Sequence, residues 1–261
     1  MEINQRSRTL TESPFPQVNL LGVNVHQVNQ DSLLDYFQKS LQDQNSISLI
    51  NYVNAHGLTL AQKNRLYKER INASTVLFCD GFGVRIAGKL LGKSIGDRMT
   101  PPDWFEDLIQ LITKEKKRVF FLGDEAEVIE KFAIEIGKQH PGLSISGYYH
   151  GFFDKSGPEN DRLVSMINNS QTDIVITGMG MPIQETWAYD NHPKLNVSTV
   201  FATGALFRHY LGIDKRGPKF VTDNGGEWLM RLIFQPKKLW KRYLIGLPNF
   251  FYLVLKEKYA K

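Results

Sequence analysis

Several short stretches of this 261-residue chain pair small residues with polar groups in a way that could hold and transform an anionic ligand. One is Asp80-Gly81-Phe82-Gly83, which closes the apolar run Thr75 to Cys79. Glycine lets a backbone approach a ligand closely, so a carboxylate here could act as a general base; it could also cap a helix beginning near Val84. Asn54, after the run Ser46 to Val53, is likewise a turn former or a ligand contact. A second stretch is Gly178-Met179-Gly180-Met181-Pro182-Ile183-Gln184-Glu185, behind the run Asp173 to Thr177. Glycines followed by a proline just inside a helix leave free backbone N–H groups that suit a diphosphate or sugar hydroxyls; the alternative is an ordinary Gly-Pro turn. Gly204-Ala205 repeats the arrangement after the run Val197 to Ala202. Arg98 and Arg216 are candidate phosphate partners, against the alternative of solvated surface arginines.

The common nucleotide-binding glycine motifs do not account for these glycines. Gly81, Gly83 and Gly88 do not form G-x-G-x-x-G, and no G-x-x-x-x-G-K-[ST] occurs, so neither the dinucleotide fingerprint nor the P-loop is present. No Asp-x-Asp pair is available to hold a divalent metal on a nucleotide diphosphate. The six histidines and single cysteine show no zinc spacing, and nothing in the sequence requires a metal.

These residues have to be carried by something. Short apolar runs alternate with helix-like stretches, the pattern of an α/β sheet with helices on its faces. The expected strands are Ser46 to Val53, Thr75 to Cys79, Arg118 to Leu122, Leu143 to Tyr148, Asp173 to Thr177 and Val197 to Ala202. Several end in Gly, Asp or Asn, and in open α/β sheets ligands collect at the carboxyl ends of the strands. Asp31 to Gln42 places Leu33, Leu34, Phe37 and Leu41 at helical spacing, and Thr100-Pro101-Pro102-Asp103 reads as a helix start with Thr100 as N-cap. Behind it Trp104, Leu108 and Leu111 form a stripe that reads as core packing.

With 42% apolar residues, the chain can bury one large core. Residues 1–17 are polar and read as a flexible arm, 18–222 as the α/β core and 223–261 as a helical appendage. The lone Cys79 and the absence of a signal-like start lead to the expectation of a reducing, cytoplasmic compartment. Charge is segregated. From Lys215 to Lys261 eleven Lys/Arg face three acids, a net of +8, so that residues 1–214 sum to −3 within the total of +5. A basic tail predicts an anionic partner: nucleic acid, phosphate-rich ligands or an acidic membrane surface. From Glu227 to Tyr259 the pattern is helical, interrupted by Pro236 and Pro248, with aromatic and aliphatic residues interleaved with Lys and Arg. Its longest uncharged stretch, Tyr243 to Leu255, has thirteen residues, too short for a span of roughly 20. The tail therefore either lies on a membrane or docks on the core or an oligomer interface. Interleaved Phe and Leu fit lipid better than nucleic acid.

Taken together, the motifs resemble the WecG/TagA/CpsF family of bacterial glycosyltransferases. The resemblance rests on Asn54-Ala55-His56, Cys79-Asp80-Gly81 with Gly83-Val84, and Gly147 through His150-Gly151-Phe152-Phe153. It continues in Gly178 to Glu185 with Trp187, Gly204-Ala205, Arg216-Gly217-Pro218, and Glu227-Trp228-Leu229-Met230-Arg231-Leu232 leading to Pro236. Each motif is weak alone; jointly, in order and spacing over Val18 to Tyr243, they are specific.

The resemblance implies a Rossmann-like, mostly parallel sheet with helices on both faces plus the helical C-terminal appendage. It implies a metal-independent inverting transferase that moves ManNAc, ManNAc-uronate or a similar sugar from a UDP-sugar to an undecaprenyl-diphosphate-linked GlcNAc in cell-surface polysaccharide synthesis. The UDP-sugar is then a substrate, and no cofactor is expected. Asp80 matches the family's proposed base. The substrate-binding set expected alongside it is Tyr52, Asn54, Arg98, Gly178, Gly180, Gln184, Glu185 and Gly204. Arg231, Lys238, Lys241 and Arg242 of the appendage would face the diphosphate. Tyr52 stands where the family commonly has Thr, and Lys238 and Lys241 stand at positions matched to arginines. Lysine balances charge but does not clasp phosphate with a fork. Peripheral association with the anionic inner face of the plasma membrane follows from the same likeness, which also leaves a homo-oligomer open and includes no nucleic acid. Two other functions stay open: a scaffold of the same fold without turnover, and an NAD-type oxidoreductase, which lacks its glycine fingerprint.

Overall fold

The apolar runs carry hydrophobic side chains at successive positions, as strands do when both faces of the sheet are covered. The computed structural model of the chain describes residues 8–215, 217–223 and 225–260, apart from the side chains of Lys219, Asp223 and Lys238. The short β1 (Thr9–Leu10) and an antiparallel hairpin of β2 (Gln17–Leu20) and β3 (Val23–His26) come first. The sheet strands that follow are β4 (Ser46–Val53), β5 (Val76–Cys79), β6 (Arg118–Gly123), β7 (Ser144–Tyr149), β8 (Ile174–Gly178) and β9 (Thr199–Ala202). These six and β1 form a seven-stranded sheet in the order β1-β4-β9-β8-β6-β7, with β5 also paired to β4, and every pairing in it is parallel.

Alternation along each strand sorts the core into layers. On one face Phe121 and Ile176 pack with Phe37, Trp104 and Phe132, beneath α1 (Gln30–Ser40), α5 (Pro101–Lys114), α6 (Ala126–Gln139) and α9 (Leu206–Tyr210). On the other, Phe120 and Val175 pack with Leu163 and Trp187 of α7 (Gly157–Asn169) and α8 (Ile183–Asn191). Leu77 and Cys79 pack there against α2 (Ala55–Lys63), α3 (Arg65–Asn72) and α4 (Phe82–Leu90). The short α10 (Lys219–Asp223) leads into the tail.

Part of the expected arm is strand. Thr9 and Leu10 pair with Ser46 and Ile47, and Arg8 Nη1 donates to the Val197 carbonyl at 2.7 Å. A two-residue strand held by polar edge contacts has no period to read in the sequence. Residues 1–7 lie outside the described residues.

The tail is helical as expected: α11 (Glu227–Phe234), α12 (Pro236–Trp240), a π-helical segment (Lys241–Gly246) and α13 (Leu247–Tyr259). Pro236 opens α12 after a break at Gln235, whereas Pro248 follows the π-helical segment inside a run that stays helical from Pro236 to Tyr259, so only the first of the two expected interruptions ends a helix. α13 docks on the core. Phe250 and Val254 are fully buried among Leu58, Val84 and Leu77, and the Glu257 carboxylate accepts from the Leu21 N–H at 2.7 Å and from Lys93 Nζ.

Candidate active site at the strand ends

Parallel strands deliver all their carboxyl ends to one edge. Asn54, Asp80, Asp124, Met179 and Thr203 each follow a strand directly, Gly151 follows β7 by two residues, and all six line one cavity of about 810 Å³. A second cavity of about 290 Å³ adjoins it between α4 and the appendage, walled by Phe82, Ile86, Trp228, Leu247 and Phe251. Asn54, His56, Asp80, Arg231 and Arg242 line both. The strand-borne carboxylate and the tail's guanidinium groups therefore meet where the two cavities join.

Asp80 does not cap α4. Gly81 is the N-cap, at φ 96°, a backbone region open to glycine. The Asp80 carboxylate accepts instead from Thr100 Oγ1 at 2.9 Å and from Asn54 Nδ2 at 3.5 Å. Thr100 caps α5 by position, as expected, but its hydroxyl makes no cap bond and accepts from Arg98 Nη1 at 2.9 Å. Asn54 does both things its position allows, since its Oδ1 caps α2 by accepting from Gly57 N at 3.1 Å. Burial raises the Asp80 pKa, and the nearby Glu227 adds to the rise; Arg231, Thr100 and Asn54 oppose it. A half-buried carboxylate that faces a cavity, with its lone pairs oriented and its basicity raised, suits proton abstraction.

Arg231 is half-buried, with about a quarter of its side chain exposed. Its Nη2 lies 3.1 Å from Glu227 Oε1 and 2.9 Å from His209 Nε2. Burial lowers its pKa, but Glu227, Tyr243 and Asp80 outweigh that and the net shift is upward, so it stays a cation. Arg242 lines both cavities, whereas Lys241 is exposed, with its ammonium 5.6 Å from the Trp240 ring centre, and lines neither. That corrects the expectation for Lys241: the helical phase turns residue 242 inward and residue 241 outward. The side chain of Lys238 and all of Arg216 lie outside the described residues. Arg98 is committed to Thr100, to Asp103 Oδ2 at 3.5 Å and to Glu227 Oε2 at 3.9 Å, and it borders the smaller cavity. It braces Thr100 and, through it, Asp80.

The glycine stretch behaves differently from the sequence expectation. The N–H groups of Gly180 and Gly204 are not free: both donate to Gln184 Oε1, each at 3.1 Å. Gln184 and Glu185 are fully buried behind the cavity wall, where Gln184 Nε2 donates to Glu185 Oε1 at 2.8 Å. The pair stitches the β8 and β9 loops together and leaves no open anion nest at those two positions. Burial pushes the Glu185 carboxyl up to about 7, against the hydrogen bond from Gln184. Gly178 and Gly204 do border the cavity. Gly204, at φ 62°, could take no side chain, because a Cβ there would sit 2.3 Å from Tyr52 Oη. Tyr52 is buried with its ring on the cavity, and burial, then Asp80, raises its pKa.

Several site residues were not singled out from the sequence. Asp124 and Thr203 follow β6 and β9 and obey the same strand-end rule that pointed to Asp80. His56 appeared only within a longer motif; burial and then Arg242 bring its pKa down to about 4, so the ring is neutral at physiological pH. Arg208 and His209 sit on α9, and Arg208 Nη1 pairs with Asp124 Oδ1 at 2.7 Å. No local pattern marks these last two, because Asp124 and Arg231, the partners that bring them to the site, are far away in the chain.

The sequence model of the Glycosyl transferase WecG/TagA/CpsF family matches residues 18–261. The chain is 28% identical over 233 residues, 89% of both chains, to the N-acetylglucosaminyldiphosphoundecaprenol N-acetyl-beta-D-mannosaminyltransferase of Bacillus subtilis (strain 168). A protein of the same name from Bacillus spizizenii is 28% identical over 229 residues, 88% of this chain and 87% of that one. Another, from Staphylococcus aureus (strain NCTC 8325 / PS 47), is 24% identical over 259 residues, 99% of this chain and 97% of that one.

Proposed function

This chain belongs to the WecG/TagA/CpsF family of glycosyltransferases, and from that premise we propose that it transfers ManNAc, its uronate or a similar N-acetylhexosamine from a UDP-sugar to undecaprenyl-diphosphate-linked GlcNAc. The observation that carries this reading is the meeting of Asp80, Arg231 and Arg242 at the junction of the two cavities. The larger, polar cavity takes the UDP-sugar, and the smaller one, with its apolar wall, takes the acceptor at the end nearest its lipid.

In this arrangement Asp80 accepts the proton of the acceptor hydroxyl as that oxygen bonds to the anomeric carbon. The bond from that carbon to the UDP oxygen breaks on the opposite face, and its electron pair leaves with UDP. Attack from the opposite face inverts the anomeric centre. Arg231 and Arg242 stabilise the negative charge that grows on the diphosphate, the task a divalent metal performs in other sugar transferases, so the reaction proceeds without one. The UDP-sugar is the only nucleotide required.

The acceptor's lipid places the enzyme at the inner face of the plasma membrane. Among the described residues no helix is long and apolar enough to cross a membrane. Ile233, Leu244, Ile245 and Tyr252 are each more than half exposed, and the same C-terminal segment carries the exposed Lys237, Lys241, Lys256 and Lys258. Such a surface supports peripheral association with anionic lipid.

The test is UDP release with a panel of UDP-HexNAc and UDP-HexNAc-uronate donors and a synthetic lipid-diphosphate-GlcNAc acceptor, with and without a chelator. Release with one donor class, unchanged by the chelator, is expected. Asp80→Asn should bind the donor yet lose transfer by about 10²–10⁴-fold. No release with any donor would return the chain to the scaffold reading.

A further inference from the structure

Arg231 is asked to meet a growing negative charge, yet α11, which carries it, has no buried residue among those described. Its ion pair with Glu227 lies within the same helix, and Glu227 in turn lies 3.9 Å from Arg98 of the core. His209, on α9 of the core, reaches Arg231 directly. Its Nδ1 lies 2.9 Å from the Asp214 carbonyl oxygen and its Nε2 lies 2.9 Å from Arg231 Nη2.

The two contacts assign the ring's proton independently. A carbonyl oxygen only accepts, so Nδ1 must carry the hydrogen. A guanidinium only donates, so Nε2 must be bare. Both statements describe the same neutral tautomer, and in it the ring passes a fixed backbone position to the arginine. Asp214 is itself well held: its N–H donates to the Arg208 carbonyl at 3.2 Å, and its carboxylate lies 3.6 Å from Arg208 Nε. Arg208 in turn pairs with Asp124 at the end of β6.

We propose that His209 is a positioning residue for the transfer reaction, holding Arg231 at the diphosphate through a neutral ring protonated on Nδ1. This rests on the reading above that Arg231 faces the leaving group. His209 touches no reacting atom in this scheme; it fixes the direction of the guanidinium that does. A side chain at 209 needs an acceptor at the Nε2 position. Glutamine supplies one at similar reach, and phenylalanine keeps the bulk without it.

The experiment uses the full chain. In ¹⁵N spectra of the histidine rings, with the His209 signal identified by its loss in His209→Gln, Nδ1 should appear protonated and Nε2 bare at neutral pH. The opposite tautomer would overturn the proposal whatever the activity. In steady-state assays His209→Phe should lower kcat by about 10- to 100-fold with KM for the UDP-sugar changed by less than about threefold, since the lost contact acts on charge that appears in the transition state. His209→Gln should recover most of that loss. Full activity in His209→Phe, or equal loss in both variants, would also overturn it. Arg231→Ala, alone and combined with His209→Phe, separates the two readings. If Arg231→Ala leaves kcat intact, Arg231 has no role at the diphosphate and the function reading fails at that residue, with this proposal. If Arg231→Ala is impaired and His209→Phe is not, only the positioning role fails. If both are impaired, the double variant should be no slower than Arg231→Ala.

Discussion

Asp80 and Arg231 border the same two cavities, but different physics holds each of them there. Asp80 follows a four-residue strand that is buried throughout, and its carboxylate is pinned by Thr100 and Asn54 from neighbouring elements of the core. Arg231 rides on a helix with no described residue buried, kept in place by Glu227 and His209 and followed by α13, whose Phe250 and Val254 are sunk in the core. The base is thus preorganised by the sheet, while the cations arrive with a docked segment. Chemistry that needs both is complete only when the appendage is seated, and the two halves should respond differently to mutation.

The strongest way to break this contrast is to loosen the anchor. Phe250→Ala should cost about 3–5 kcal/mol of stability in thermal or denaturant unfolding, and a larger share of activity than of core structure should be lost at intermediate denaturant. Retained activity at full occupancy would mean the appendage is not held by α13. Next, Arg231→Ala should lower kcat by about 10²–10³-fold with the melting temperature nearly unchanged, because α11 contributes little buried apolar surface. A large drop in melting temperature instead would make Arg231 a core residue in energetic terms.

Smaller effects sharpen the picture. Leu244→Asp with Ile245→Asp removes two exposed apolar groups from the tail and should weaken binding to anionic vesicles by about 10- to 100-fold, with UDP release from a water-soluble acceptor analogue unaltered. Unchanged vesicle binding would remove that surface from the membrane reading. The least effect is expected in the strand-end half. Glu185 titrates near 7, above its ordinary 4.5, so the folded state binds its proton more tightly than the unfolded chain does. That contribution is fully present below the ordinary value and is lost as pH rises to about 7. Glu185→Gln should therefore be more stable than the parent above pH 7, by on the order of 1 kcal/mol, with the difference shrinking toward pH 5. A difference that does not vary with pH would show that Glu185 is ionised in the fold.

The residues differ in how far local reading reached them. Ser46 to Val53 became a strand with those same bounds, and Asp80 emerged as a candidate because an acid before Gly81 ends a buried run. Both follow from side-chain period and backbone freedom, which neighbouring residues settle among themselves. Thr100 reads locally as a cap, yet its hydroxyl is turned to a carboxylate twenty positions earlier. Gly180 and Gly204 read as open donors, yet one glutamine carbonyl takes both of their N–H groups.

What the sequence determined by itself was the alternation of elements, the edge at which polar residues collect and the basic, amphipathic character of the tail. Only the tertiary structure decided that Arg242 turns inward while Lys241 does not, that His209 meets Arg231 and that α13 seats on α2 and α4. The reason is one of range. Period, capping and turn chemistry act over a few residues, whereas a hydrogen bond between residues 209 and 231, or the inward phase of a docked helix, depends on packing between elements whose order in the chain says nothing about their distance.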